Sequence, residues 1–226
     1  MEQWERRTCG SLCVALRRKE KIVLPVASSG ITYLLLPCGR TAHSRFGPPL
    51  NVDENSTCHG IKAGSDLKNL HMKTKLIIWD EAPMIHKYYF VTLDRSLKDV
   101  MQSINPGNHH IPFGGKVVVF AGDLRKILLV VPIGSRQDIV FLAINSSYLW
   151  NFCRVLRLTQ STRLRIGPDK SNLEEVREFS KWILNIGDDK VGESNDGEAN
   201  IEISHEALIY GGDDPISPIV DNTYLI

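Results

Sequence analysis

The sequence predicts an α/β domain built on a parallel sheet with helices over both faces. Three short runs carry that expectation: "KIVLPVAS" (21–28), "TKLIIWD" (74–80) and "GKVVVFAGD" (115–123). They are apolar throughout rather than alternating, as strands covered on both faces are. Between them lie segments whose apolar residues recur at helical spacing. The composition agrees: 226 residues, 42% hydrophobic and 23% charged, is typical of a folded globular chain.

Residues 11–20, "SLCVALRRKE", read as the second half of an amphipathic helix, with Leu12, Ala15 and Leu16 on one face and charges closing it. The strand over 21–28 follows, with Pro25 marking a kink or an edge. "SGITYLLLPCG" turns into a short helix ended by Pro37 and Gly39. Residues 47–73 are glycine- and proline-bearing and read as loop. After the strand over 74–80, a helix is expected over 84–103, since Met84, Tyr88, Val91 and Leu97 fall near one face. The strand over 115–123 leads to a short helix at 135–143, a fourth strand in "CRVLRLT" (153–159) and a polar helix at about 171–185. The stretch 186–200, "IGDDKVGESNDGEAN", is acidic and without period, a surface loop or linker.

A net charge of +1 means that any grip on nucleic acid comes from local patches rather than a global field. No apolar run is long enough to span a bilayer. Glu2 and Glu5 among the first arginines, with no apolar segment, argue against a targeting peptide. Five scattered cysteines suggest reduced thiols. Cys9 and Cys13 lack a second ligand pair at zinc spacing.

The chemistry gathers at strand ends. In "IIWDEAPM" a buried strand runs into Asp80 and Glu81, and the C-terminal end of a parallel strand is where such sheets place ligands. In nucleotide-hydrolysing domains the first acid holds magnesium and the second polarises the attacking water. Two solvated acids at a strand end are the plain alternative. "VVVFAGDLRK" repeats the construction with Gly122 and Asp123, and "LTQSTRLR" offers Arg163 and Arg165 after the expected fourth strand. Three polar strand ends converging on one edge favour a nucleotide site.

"VASSGIT", "TAHSRF", "IIWDEAPM", "FAGDLRKILLVVP" and "LRLTQSTRLR" resemble, in order and spacing, the Pif-type (petite-integration-frequency) DNA helicases, above all their plant and Helitron-like members. The resemblance implies the first RecA-like P-loop NTPase domain of a superfamily-one helicase. Such an enzyme moves 5′ to 3′ on single-stranded DNA and DNA junctions, driven by ATP and magnesium. Repair, recombination, telomere maintenance and a nuclear or mitochondrial location come with it. Asp80 (the magnesium ligand) and Glu81 become the Walker B pair, and Asp123, Lys126 and Arg163 the ATP-sensing set. Ser29, Gly30, His43, Ser44 and Phe46 become DNA contacts, although Phe46 is as well suited to the core. Residues 1–20 become a residual helix, 21–185 the helicase domain, and 186–226 an acidic loop with the start of a C-terminal extension.

Two departures stand out. The family's "G-D-x-x-Q-L-P" keeps Gly122 and Asp123 but has Lys126 for glutamine and Leu129 for proline; a lysine cannot accept a hydrogen bond. The loop "G-x-G-G-T-G-K-T" falls, by spacing, over "MEQWER" (1–6), and Gly10 is the only glycine before Gly30. A phosphate cradle needs glycines, a lysine and a hydroxyl. "GNHHIPFGGKV" (107–117) holds Gly-Gly-Lys but runs into a strand, where a phosphate loop must leave one. The expected domain therefore lacks its first strand and phosphate loop. Its alternative to a working helicase is a transposon-derived remnant without ATPase activity, at most a weak binder of DNA or protein.

Overall fold

The structure is a computed structural model describing residues 2–61, 64–124, 134–157 and 173–187, with single positions at 190, 191, 201, 203, 208, 216, 218 and 220. The chain divides into two compact units, Met1–Thr162 and Arg163–Ile226.

The first unit is built on a four-stranded sheet: β1 (Ile22–Ala27), β2 (Arg40–Thr41), β3 (Thr74–Asp80) and β4 (Val117–Phe120), in the order β2-β1-β3-β4. Every pairing is parallel, so all C-terminal ends meet one edge of the sheet. The helices are α1 (Glu2–Arg17), α2 (Ala42–Phe46), α3 (Asp66–Lys73), α4 (Lys87–Gln102) and α5 (Arg136–Leu142); α6 (Leu173–Gly187) belongs to the second unit. Alternate residues of β3 explain the layers. Leu76 and Ile78 pack with Cys9 and Cys13 of α1, while Ile77 and Trp79 pack with Phe46, Phe90, Leu93 and Leu97 on the other face. Among the described residues no helix is long and apolar enough to cross a membrane.

Pro25 is tolerated inside β1 because pairing with β2 begins only at Val26. The β3 bounds match the expected strand, and α4 starts later than expected because Ala82–Met84 forms its own 3-10 turn. The helix expected after Gly30 is likewise only a 3-10 turn, Thr32–Leu35.

Two expectations need correction. The stretch 47–73 is not loop throughout, because α3 occupies its end. Ser65 Oγ accepts the Lys68 N–H at 3.1 Å, a serine N-cap that the surrounding glycines obscured. The fourth strand is absent from 153–157, which carries no ladder and leaves Val155 and Leu156 exposed. An apolar run becomes a strand only beside a partner. β4 has no second partner among the described residues, and its Val117 is 60% exposed whereas every residue of β3 except Lys75 is buried.

Candidate nucleotide and DNA site

The site grows from the C-terminal edge of the sheet. Past β1, the Ser28 N–H donates to the Asp80 carbonyl at 3.1 Å, and the Trp79 indole N–H donates to Ser28 Oγ at 3.1 Å. The loop that opens at Ser28 is thereby fastened beside Asp80. Its next residue, Ser29, turns its hydroxyl inward to the turn it starts: Ser29 Oγ lies 2.8 Å from Thr32 Oγ1 and accepts the Thr32 N–H at 3.2 Å. Gly30 is exposed, and among the described residues no atom lies within 4 Å of where its Cβ would stand. That open space suits close approach of a ligand to the backbone.

Asp80 and Glu81 are both buried, at 3% and 8% exposure. Asp80 Oδ1 accepts the Glu81 N–H at 3.2 Å. Glu81 itself sits at φ 52° and ψ 40°, the left-handed region that costs a side-chain-bearing residue about 1–2 kcal/mol. The strain is held by bonds on both sides: the Ala121 N–H donates to the Trp79 carbonyl at 2.8 Å and the Ala82 N–H to the Ala121 carbonyl at 2.9 Å. Gly122, at φ 140°, then passes so close that a Cβ would meet Pro83 Cδ at 2.6 Å and Glu81 Cα at 3.3 Å. The turn after β3 and the end of β4 are therefore one packed object, and Asp123 leaves it half-buried at the same edge.

β2 delivers α2 to that edge. Thr41 Oγ1 caps the helix by accepting the Ser44 N–H at 3.3 Å, and Gly47 closes it at φ 60°. His43 and Ser44 are exposed. The His43 ring leans on Tyr89 with centroids 4.5 Å apart, and desolvation holds its pKa below the ordinary histidine value. Phe46 departs from its expected role at the surface. It is 1% exposed, stacked on Trp79 at 5.6 Å and beside His71 at 5.4 Å, so its ring has no face for a nucleobase. Lys126 and Arg163 lie outside the described residues.

The sheet edge thus brings together Ser29, Gly30, His43, Ser44, Asp80, Glu81 and Asp123. Sequence reading missed the residues that hold them: Ser28, Thr41 and Tyr89. Of these, only Thr41 had a signal, a threonine three positions before the N–H it caps. Among the described residues no group of three or more His, Cys, Asp or Glu is arranged for a metal ion. Magnesium commonly takes one or two carboxylates and fills its remaining positions with water and phosphate oxygens. Asp80 fits an ion carried by a nucleotide, and the site does not fit a protein-only metal cage.

The family model described as PIF1-like helicase matches residues 9–197. The chain belongs to the PIF1-like helicases. An ATP-dependent DNA helicase, PIF4, of Trypanosoma brucei brucei is 34% identical over 122 residues, covering 52% of this chain and 14% of that protein. Among solved structures, Bacteroides sp Pif1 in complex with ADP-AlF4 superposes with a TM-score of 0.58 at 23% identity, over 80% of this chain and 40% of that one. The same helicase with ADP-AlF3 and single-stranded DNA gives 0.57 at 24%, over 76% and 37%. Pif1 from Candida albicans gives 0.57 at 19%, over 85% and 39%. The chain therefore has the RecA-like fold of these helicases and spans well under half the length of each.

Proposed function

We propose that this PIF1-like chain supplies the Walker B and strand-contacting part of an ATP-dependent 5′–3′ DNA helicase. One observation carries the reading: the strained Asp80–Glu81 turn is packed against Gly122 at the edge where Gly30, His43 and Ser44 emerge. Asp80 would hold the magnesium of the nucleotide, whose charge stabilises the phosphoryl group in transfer. Glu81 would take a proton from the attacking water, and its left-handed backbone, held on both sides, would fix the point from which the carboxylate reaches. Gly30, His43 and Ser44 would meet single-stranded DNA, with Asp123, Lys126 and Arg163 sensing the γ-phosphate. Action on junctions, in repair, recombination and telomere maintenance, a nuclear or mitochondrial place of work, and the plant or Helitron-like subgroup all belong to the same proposal.

A second reading, a chain that does not hydrolyse ATP, is favoured by one feature. The positions at which relatives carry the phosphate loop hold no glycine, and α1 is already helical from Glu2. The first N–H groups of a helix stay free and can meet an anion, but a phosphate loop also needs glycine turns, a lysine and a hydroxyl, and residues 1–6 hold none of these. One experiment tests the Walker B assignment on which the first reading stands. A relative's first strand and "G-x-G-G-T-G-K-T" loop, grafted ahead of Ser11, should give magnesium-dependent ATP turnover that Glu81→Gln abolishes. A folded graft that binds ATP and hydrolyses it equally with Glu81→Gln defeats the Walker B assignment.

A further inference from the structure

His43 is an exposed residue on a helix of only five residues, so little in α2 itself fixes its side chain. What fixes it comes from α4. Tyr89 is 5% exposed, anchored in the main core with Phe46, Cys58 and Phe90, and its ring meets the imidazole at 4.5 Å with the planes inclined by 60°. That is the tilted geometry aromatic pairs favour, because a ring edge carries positive charge and a ring face negative. The Tyr89 hydroxyl is buried and has no hydrogen-bond partner among the described residues. The ring, not the hydroxyl, is the part that acts.

We infer that Tyr89 is a positioning residue for strand binding: its buried ring is the platform that holds His43 in the orientation from which the imidazole contacts single-stranded DNA. The inference rests on His43 being a strand contact, as proposed above. Tyr89 also lies in the first turn of the helix that follows the Asp80–Glu81 turn, with its N–H donating to the His86 carbonyl at 2.9 Å. The platform is thus built on the chain segment that leaves the carboxylates, and the nucleotide edge and the strand contact share one support.

The test uses the full chain, fluorescein-labelled oligo-dT anisotropy and proton NMR of the His43 ring. The wild-type His43 ring protons should be shifted upfield by the Tyr89 ring current. Tyr89→Phe should retain both that shift and the DNA affinity, whereas Tyr89→Leu should abolish the shift. If His43→Ala weakens binding by about tenfold, the scale of losing one stacking partner, Tyr89→Leu should do the same. The double variant should lose no more than either single one. Losses that multiply, or Tyr89→Leu binding as wild type while His43→Ala does not, overturn the inference. So does a wild-type His43 signal with no upfield shift. If Tyr89→Leu fails to fold, Tyr89→Met takes its place, and the wild-type and Tyr89→Phe spectra still decide the ring contact. A chain that binds DNA equally with and without His43 removes the strand-contact reading instead, and the ring shift alone then tells whether Tyr89 positions His43.

Discussion

His71 shows how a single residue can set the pH range of this fold. It is fully buried beside Phe46, neither ring nitrogen has a hydrogen-bond partner among the described residues, and burial with the nearby Arg45 and Lys116 charges pushes its pKa from 6.5 down to about 4. The folded state therefore refuses a proton that the unfolded chain accepts. Its stabilising effect is whole above pH 6.5 and is lost as pH falls toward about 4, on the order of 2 kcal/mol by about pH 5. Urea midpoints at neutral pH and at about pH 5 should show that loss, and His71→Leu should shrink it; an unchanged slope would count against the assignment. Glu81 offers the opposite case, strain kept at a proposed functional position. Glu81→Gly removes the left-handed penalty and adds backbone entropy to the unfolded state, for a net gain of about 0.5–1 kcal/mol. The melting temperature should rise, and in the grafted chain ATP turnover should vanish. A lower melting temperature would mean that the Glu81 side chain stabilises the fold more than its backbone strains it.

At the scale of elements, the joints matter more than the strands and helices themselves. Asp94 of α4, 1% exposed, accepts the Phe113 N–H and the Tyr148 hydroxyl, each at 2.5 Å, and pairs with Lys98 at 2.7 Å. It ties α4 to the left-handed turn at Phe113 and Gly114, which must pass within 2.8 Å of α4 atoms if a Cβ is added at Gly114. Asp94→Ala leaves the buried Phe113 N–H without its acceptor, while the Tyr148 hydroxyl is exposed enough to turn to water, and should cost about 1–3 kcal/mol in chemical denaturation. A loss under about 1 kcal/mol, the size of an ordinary surface change, would show the clamp to be idle. The ties to Phe113 and Tyr148 were not readable in sequence, because they are tertiary contacts; only the Lys98 pair, four residues on in the same helix, is local. The strands were readable where both faces are covered, since burial writes an apolar run whatever the neighbours are. β3 is the clear case. The run at 153–157 misled because an apolar stretch states what it would bury and not whether a partner lies beside it. Likewise the carboxylates of the site were legible from a strand ending in Asp80-Glu81, while the Tyr89 platform, drawn from another element, left no mark near His43.

For the molecule as a whole, the decisive feature is the outer edge of β4. A parallel strand inside an α/β sheet is expected to have a neighbour on each side and both faces covered. β4 is all apolar, pairs only with β3 among the described residues, and has Val117 at 60% exposure with the rest half-buried. Unpaired backbone N–H and C=O groups beside valines form a template for another chain. The chain in isolation should therefore self-associate, its apparent mass by light scattering rising with concentration. A lysine at Val117 puts a charge on the exposed edge while leaving Ile77 and Trp79 of β3 packed in the core, so Val117→Lys should restore a monomer without lowering the melting temperature by more than about a degree or two, as expected of a surface change. The graft that supplies a first strand should do the same by pairing instead of repulsion, and it alone should add nucleotide binding. A wild-type chain that stays monomeric across the concentration range, with one cooperative transition, would mean that residues outside the described set already cover the β4 edge, and the graft would then have no place to dock.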